Sequence, residues 1–121
     1  MNFDNISIGT DIEQISRFNG KTLENDARFL NRIFTPAELE YCFSHGIPAQ
    51  HLCARYCAKE AIVKALSDFE IKDVFYSDIE IFNTESGKPY AKIQKYPDVR
   101  IKLSLSHSKD TAICVAVCNY K

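Results

Sequence analysis

Near the start of the chain Ile6, Ile8, Thr10 and Ile12 alternate with Ser7, Gly9, Asp11 and Glu13, the period of a strand with one apolar face. Leu23, Ala27, Leu30 and Phe34 then fall at spacings of four, three and four, which predicts a helix. Thr35-Pro36-Ala37-Glu38 supplies an N-cap hydroxyl, a proline at the first helical position and a glutamate at the third. That capping box opens a short helix expected to stop near Gly46, with Pro48 beyond. A longer helix is predicted over residues 49–66. Four strand-like segments follow, at 78–82, 90–93, 101–106 and 111–118. They are separated by Ser86-Gly87-Lys88-Pro89, Tyr96-Pro97-Asp98 and His107-Ser108-Lys109-Asp110, all turn-forming runs. A strand, then helices, then a strand-rich half predicts an α+β fold, with helices packed on a largely antiparallel sheet.

Composition narrows the class. The 121 residues suit one domain spanning 1–121, and 45% hydrophobic against 26% charged residues excludes disorder. No apolar run approaches the ~20 residues of a membrane span. Met1-Asn2-Phe3-Asp4-Asn5 lacks the basic and apolar regions of a signal peptide, so a soluble, non-exported, cytoplasmic chain is expected. Fifteen basic residues against 16 acidic ones argue against bulk nucleic-acid binding, while leaving room for a local basic patch. The five cysteines are an odd number without an export signal, which favours reduced thiols. Cys53/Cys57 and Cys114/Cys118 share a spacing that raises zinc, but the second pair lies in a strand with both thiols on its less bulky face. They read as small hydrophobes.

Three places carry chemistry. Asp11 and Glu13 project from one strand face, about 7 Å apart, with Gly9 leaving space beside Asp11. They form either a solvated acidic face or oxygen ligands for a hard cation. The long helix carries a small-residue stripe, Ala54, Ala58, Ala61 and Ala65, that admits another backbone closely. Leu52, Tyr56 and Val63 cover much of its opposite side, so the helix reads as buried. Its charges come as two pairs. Glu60/Lys64 reads, taken alone, as a plain i,i+4 ion pair, whereas Arg55/Lys59 places like charges where they repel. A bound phosphate would resolve that repulsion. Finally, Ser104, Ser106, His107, Ser108 and Lys109 cluster where a strand enters a turn, a donor set better suited to phosphate than to acyl transfer.

These segments together resemble the holo-acyl-carrier-protein synthase family, the short 4′-phosphopantetheinyl transferases. The likeness runs through Ile8-Gly9-Thr10-Asp11-Ile12, Arg17, Arg32-Ile33-Phe34-Thr35-Pro36-Ala37-Glu38 and Tyr41-Cys42. It continues through Arg55-Tyr56-Cys57-Ala58-Lys59-Glu60-Ala61, Lys64-Ala65, Gly87-Lys88-Pro89 and Ser104-Leu105-Ser106-His107. Each motif is weak alone; their order and spacing make the likeness specific. The family moves the phosphopantetheine arm of coenzyme A to a serine of an apo acyl carrier protein, releasing adenosine 3′,5′-bisphosphate, in service of fatty acid biosynthesis.

By resemblance, Asp11 and Glu60 are Mg2+ ligands, and Lys64 lies near the coenzyme A diphosphate and serves catalysis with Glu60. The resemblance implies that Arg55, Lys59, Ser106 and His107 contact coenzyme A and that Gly87-Lys88-Pro89 lines its adenine end. Arg17 resembles a residue that docks the carrier, and the family's habit implies a homotrimer with interfacial sites. The base for the serine hydroxyl is left between Glu60 and water. Two departures stand out. Ser67-Asp68-Phe69-Glu70-Ile71-Lys72 replaces the family's glycine-rich turn, and Glu13 makes an Asp-x-Glu like that of longer, two-lobed transferases. Two other functions share these residues: a silent module that binds coenzyme A or a carrier, and a metal-dependent hydrolase of nucleotide pyrophosphates.

Overall fold

The computed structural model describes residues 3–120; Met1 and Asn2 of the N-terminal run discussed above lie outside them. Strand β1 spans Ile6–Gln14, helices α1, α2 and α3 span Ala27–Ile33, Pro36–Phe43 and Pro48–Ser67, and β2 to β5 span Ile79–Asn83, Pro89–Ile93, Arg100–His107 and Thr111–Asn119. Every pairing is antiparallel, in a three-stranded sheet ordered β1-β5-β4 and a β2-β3 hairpin. The hairpin lies with β3 beside β4, and α3 packs across β1 and β5. The fold is the expected α+β arrangement of helices on antiparallel strands.

Helix α1 is shorter than the hydrophobic spacing predicts, and Leu23 is exposed. The Asp26 side chain accepts from the Thr22 amide at 2.9 Å and the Thr22 hydroxyl accepts from the Asn25 amide at 3.0 Å. Such local side-chain bonds give the backbone an alternative to helix. Helix α2 begins as predicted. The Thr35 hydroxyl accepts from the Glu38 amide at 3.2 Å, while Glu38 accepts from the Thr35 amide at 2.8 Å. Where the family's glycine-rich turn would follow α3, Glu70 itself adopts the left-handed conformation, with φ of 59°. The Ile71 amide reaches back to the Leu66 carbonyl at 3.2 Å and the Glu70 amide to that of Ser67 at 3.0 Å. Helix α3 thus ends in a Schellman closure without a glycine.

The two faces of β1 correct the sequence reading. The side bearing Ser7, Gly9, Asp11 and Glu13 turns inward onto α3, while Ile8 and Ile12 are 68% and 65% exposed. The alanine stripe explains the inversion. A Cβ at Gly9 would overlap the Ala61 carbonyl oxygen and lie 2.8 Å from the Ala65 amide nitrogen, so only glycine lets β1 sit this close to α3. The expected space beside Asp11 is therefore filled by helix backbone. The inner face of β5 consists of Ala112, Cys114, Ala116 and Cys118, all buried and small enough for the same approach. All five cysteines are buried and free, and burial pushes Cys53 and Cys118 up to about 11 and Cys42 and Cys114 up to about 12.

Lys59 requires a second correction. The repulsion expected between Arg55 and Lys59 is answered by a carboxylate from another helix, not by a bound phosphate. Lys59 is wholly buried, and its ammonium donates to Glu38 Oε1 at 2.6 Å, the Ile33 carbonyl at 2.7 Å and the Tyr76 carbonyl at 2.9 Å. Its three protons are thereby spent within the core. Glu38 also accepts from the Ile81 amide at 2.7 Å, so one ion pair ties α1, α2, α3 and β2 together. Removing one partner strands the other charge in the core, at a cost of about 3–5 kcal/mol. Lys59→Met is therefore expected to lose about that much stability in urea denaturation. A loss below about 1 kcal/mol would mean that the pair does not tie these elements together.

Candidate active site

Asp11 and Glu13 leave the inner face of β1 opposite Cys114 and Ala112, where α3 presents Glu60 and Lys64. Lys64 is half-exposed and bonds Asp11 Oδ1 at 3.1 Å and the Thr10 carbonyl at 2.9 Å. Asp11 Oδ2 is buried and without a hydrogen-bond partner. The Glu13 carboxyl is pushed up to about 7, first by burial, then by the neighbouring Asp11 and Glu60 carboxylates, against the opposing pull of Arg17. Arg17 meets Glu13 at 3.3 Å and lies over the Tyr56 ring, 4.8 Å from its centroid.

Glu60 is held on both oxygens. The Tyr56 hydroxyl donates to Oε2 at 2.8 Å and the Tyr76 hydroxyl to Oε1 at 2.9 Å. Burial and the bond to Glu60 push both phenols up. Sequence reasoning missed these two residues. Tyr56 stands one helical turn from Glu60, a detectable signal that its apolar ring concealed, whereas Tyr76 arrives from a separate turn and gives no local sign.

Three acids against one lysine and one arginine make a locally electronegative site. The orphaned Asp11 oxygen is the feature that fits a cation. Among the described residues no three Asp, Glu, His or Cys side chains form a ready-made metal cage. Mg2+ suits such a site, because it is commonly held by one or two carboxylates with water and substrate phosphate oxygens completing the shell. Asp11 and Glu60 could hold it, with Glu13 adjacent.

The remaining predicted residues gather elsewhere. Arg55 is buried, about 7.5 Å along α3 from Glu60 by helical rise. Its Nη2 donates to Asn83 Oδ1 at 2.8 Å, and Asn83 Nδ2 donates in turn to the Gly87 carbonyl at 3.1 Å. The structure thus joins Arg55 to the Gly87-Lys88-Pro89 turn through Asn83, a residue the sequence reading passed over. The guanidinium lies 4.1 Å from the Tyr41 ring centroid, and its buried Nε lacks a partner. Beside Tyr41 the rings of His45 and His51 sit 4.1 Å apart. Burial pushes His51 down, and His45, Arg55 and His107 add to the shift. His107 shares the inner sheet face with Ala112, while Ser106 projects to the outer face opposite Ile113. Lys88 and Pro89 border a cavity of about 330 Å³ with Tyr90, Ile101, Lys102 and Leu103. β1 and β3 belong to different sheets, with β5 and β4 between them, so the acidic cluster and the Gly87 turn occupy different parts of one chain.

Likeness to known proteins says which class of protein carries an acidic cluster and an arginine–histidine group arranged in this way. A family model described as the 4′-phosphopantetheinyl transferase superfamily matches residues 7–118. The holo-[acyl-carrier-protein] synthase of Protochlamydia amoebophila is 38% identical over 117 residues, covering 93% of this chain and 96% of the relative. That of Chlamydia caviae is 40% identical over 114 residues, covering 91% and 93%. A crystal structure of the Bacillus anthracis holo-(acyl-carrier-protein) synthase in complex with CoA (3′,5′-ADP) superposes with a TM-score of 0.79 at 29% identity, covering 95% and 96% of the two chains. The chain belongs to the 4′-phosphopantetheinyl transferase superfamily and, within it, to the holo-[acyl-carrier-protein] synthase family.

The raised Glu13 carboxyl makes stability depend on pH. Its folded value, about 7, lies above the ordinary 4.5, so the stability it contributes is present in full below about 4.5 and is lost as pH rises through 7. In metal-free buffer Glu13→Gln is expected to match the unaltered protein at pH 4.5 and to exceed it at pH 8. Parallel denaturation curves at the two pH values would place Glu13 in solvent.

Proposed function

We propose that this enzyme transfers the 4′-phosphopantetheine arm of coenzyme A to a serine hydroxyl of an apo acyl carrier protein, with Mg2+, and releases adenosine 3′,5′-bisphosphate. The buried Asp11 oxygen left without a partner, beside Lys64 and Glu60, is the observation that carries the reading. Asp11 and Glu60 are the metal ligands in this proposal. A bound Mg2+ would supply charge neutralisation at the diphosphate oxygens. Lys64, already half in solvent, would swing from Asp11 toward the same phosphates and stabilise the leaving oxygen. Arg55 with its unpartnered Nε and His107 would meet other phosphate groups, Ser106 would reach coenzyme A from the outer sheet face, and the Gly87-Lys88-Pro89 turn would line the adenine end. Lys59 drops out of this set because its protons are spent in the core.

Arg17, half-exposed at the rim of the acidic cluster, is the proposed contact for the acidic carrier. Assembly belongs to the same proposal. Ile8, Ile12, Ile113 and Val117 lie on the outer sheet face, an apolar strip of a kind that monomers seldom leave open. We assign that strip to contacts among three copies, which would bring the Gly87 turn of one chain toward the acidic cluster of the next. The single domain and cytoplasmic setting complete the proposal; no described helix is long and apolar enough to cross a membrane.

The deciding assay incubates the full chain with coenzyme A and Mg2+, with and without apo carrier protein, and follows carrier mass and adenosine 3′,5′-bisphosphate. Product is expected only with carrier. Release without carrier would indicate a pyrophosphate hydrolase, and binding without release a silent module. Light scattering tests assembly: the unaltered protein is expected at three times the chain mass, and Ile8→Glu at the mass of one chain. A monomeric unaltered protein would leave the outer strip to another use.

A further inference from the structure

Glu60 leaves α3 one turn after Tyr56, and its carboxylate is caught between two phenols that come from different elements. Tyr56 approaches along the helix; Tyr76 approaches from the turn that precedes β2. The two bonds, 2.8 Å and 2.9 Å, fall on different oxygens. Each carboxylate oxygen has about two acceptor sites, so each keeps one for another partner. Rotation of the carboxylate would break both bonds at once.

The phenols are themselves fixed. The Tyr56 ring packs 5.6 Å from Phe18 and 5.6 Å from Tyr76, and Arg17 covers it. Tyr76 is anchored through its own carbonyl, which accepts from the buried Lys59 ammonium at 2.9 Å. A ring needs no hydroxyl for such packing, and phenylalanine would fill either place. The two hydroxyls therefore serve the one group they both touch.

We infer that Tyr56 and Tyr76 are positioning residues that clamp the Glu60 carboxylate for a divalent cation. This inference rests on the proposed role of Glu60 as a metal ligand and extends it to the partners that orient that ligand. Outer-shell partners of this kind are commonly worth 10–100-fold in metal affinity or activity.

Mn2+ titration of the full chain in the presence of coenzyme A, with free Mn2+ counted by electron paramagnetic resonance, tests the clamp apart from turnover. Tyr56→Phe, Tyr76→Phe and Glu60→Gln are compared with the unaltered protein, and metal-free melting verifies that each is folded. Each Tyr→Phe variant is expected to weaken Mn2+ binding several-fold and the double variant 10–100-fold, with Glu60→Gln at least as weak. In steady state the Mg2+ concentration for half-maximal rate should rise by a similar factor, with the carrier KM unchanged. A merely structural hydroxyl would change melting and leave metal affinity alone. If Glu60→Gln weakens binding and both single variants bind Mn2+ as the unaltered protein does, the clamp is overturned and the transferase reading stands. If Glu60→Gln binds Mn2+ normally, Glu60 is no ligand, and the clamp falls with that part of the proposed function. Tyr76 is partly exposed, so Tyr76→Phe decides the matter even if Tyr56→Phe proves unstable.

Discussion

A lysine ammonium buried without exposure holds α1, α2, α3 and β2 in register, and the positions of the functional side chains follow from it. Lys59 lies on the same helix as Arg55, Glu60 and Lys64, so whatever fixes Lys59 fixes the height and rotation of all three. Its carboxylate partner, Glu38, closes the α2 capping box with the oxygen that also meets Lys59. One oxygen thus caps the start of a helix and neutralises a core charge. A buried ion pair is no great source of stability against a well-packed apolar core. Its three directed bonds on Lys59 give what apolar packing lacks, a single rotational setting for α3.

That setting explains what the sequence made legible and what it hid. The capping box could be read from four residues because it is local. The alanine stripe could be read as a place for close backbone approach, and Gly9 is what approaches it. The sidedness of β1 could not be read, because alternation gives two faces without saying which meets the core. Isoleucine on one face suggests the interior, yet the helix opposite is lined with alanine and accepts only small or polar neighbours. The partner of Lys59 was hidden for a different reason: it lies 21 residues away, and no spacing rule reaches it.

The candidate site shows the same division. Asp11, Glu60 and Lys64 were joined into one candidate set by family resemblance, and in the structure Lys64 bonds Asp11 across the β1–α3 contact. Arg55 and the Gly87 turn were found separately; only the fold supplies Asn83 as the bridge between them. Tyr76 could not be found at all from sequence, since its bond to Glu60 depends on a turn tied down by the Lys59 ammonium. The buried core and the acidic site are thus connected by one short segment: the Tyr76 carbonyl answers the core charge, and the Tyr76 hydroxyl answers the site.

Arg17 occupies the other end of this network. It pairs with Glu13 and covers Tyr56, so one guanidinium touches two residues that bear on the acids of the site. It is the nearest compensation for Glu13, whose neighbours Asp11 and Glu60 both disfavour its charge. An acidic partner drawn to Arg17 competes with Glu13 for the same guanidinium. Any such partner would leave Glu13 less well compensated, and a cation bound by Asp11 and Glu60 would restore the balance. Under the proposed function, a carrier at the rim and a cation held by Asp11 and Glu60 would thus both bear on Glu13, four residues from Arg17 in the chain.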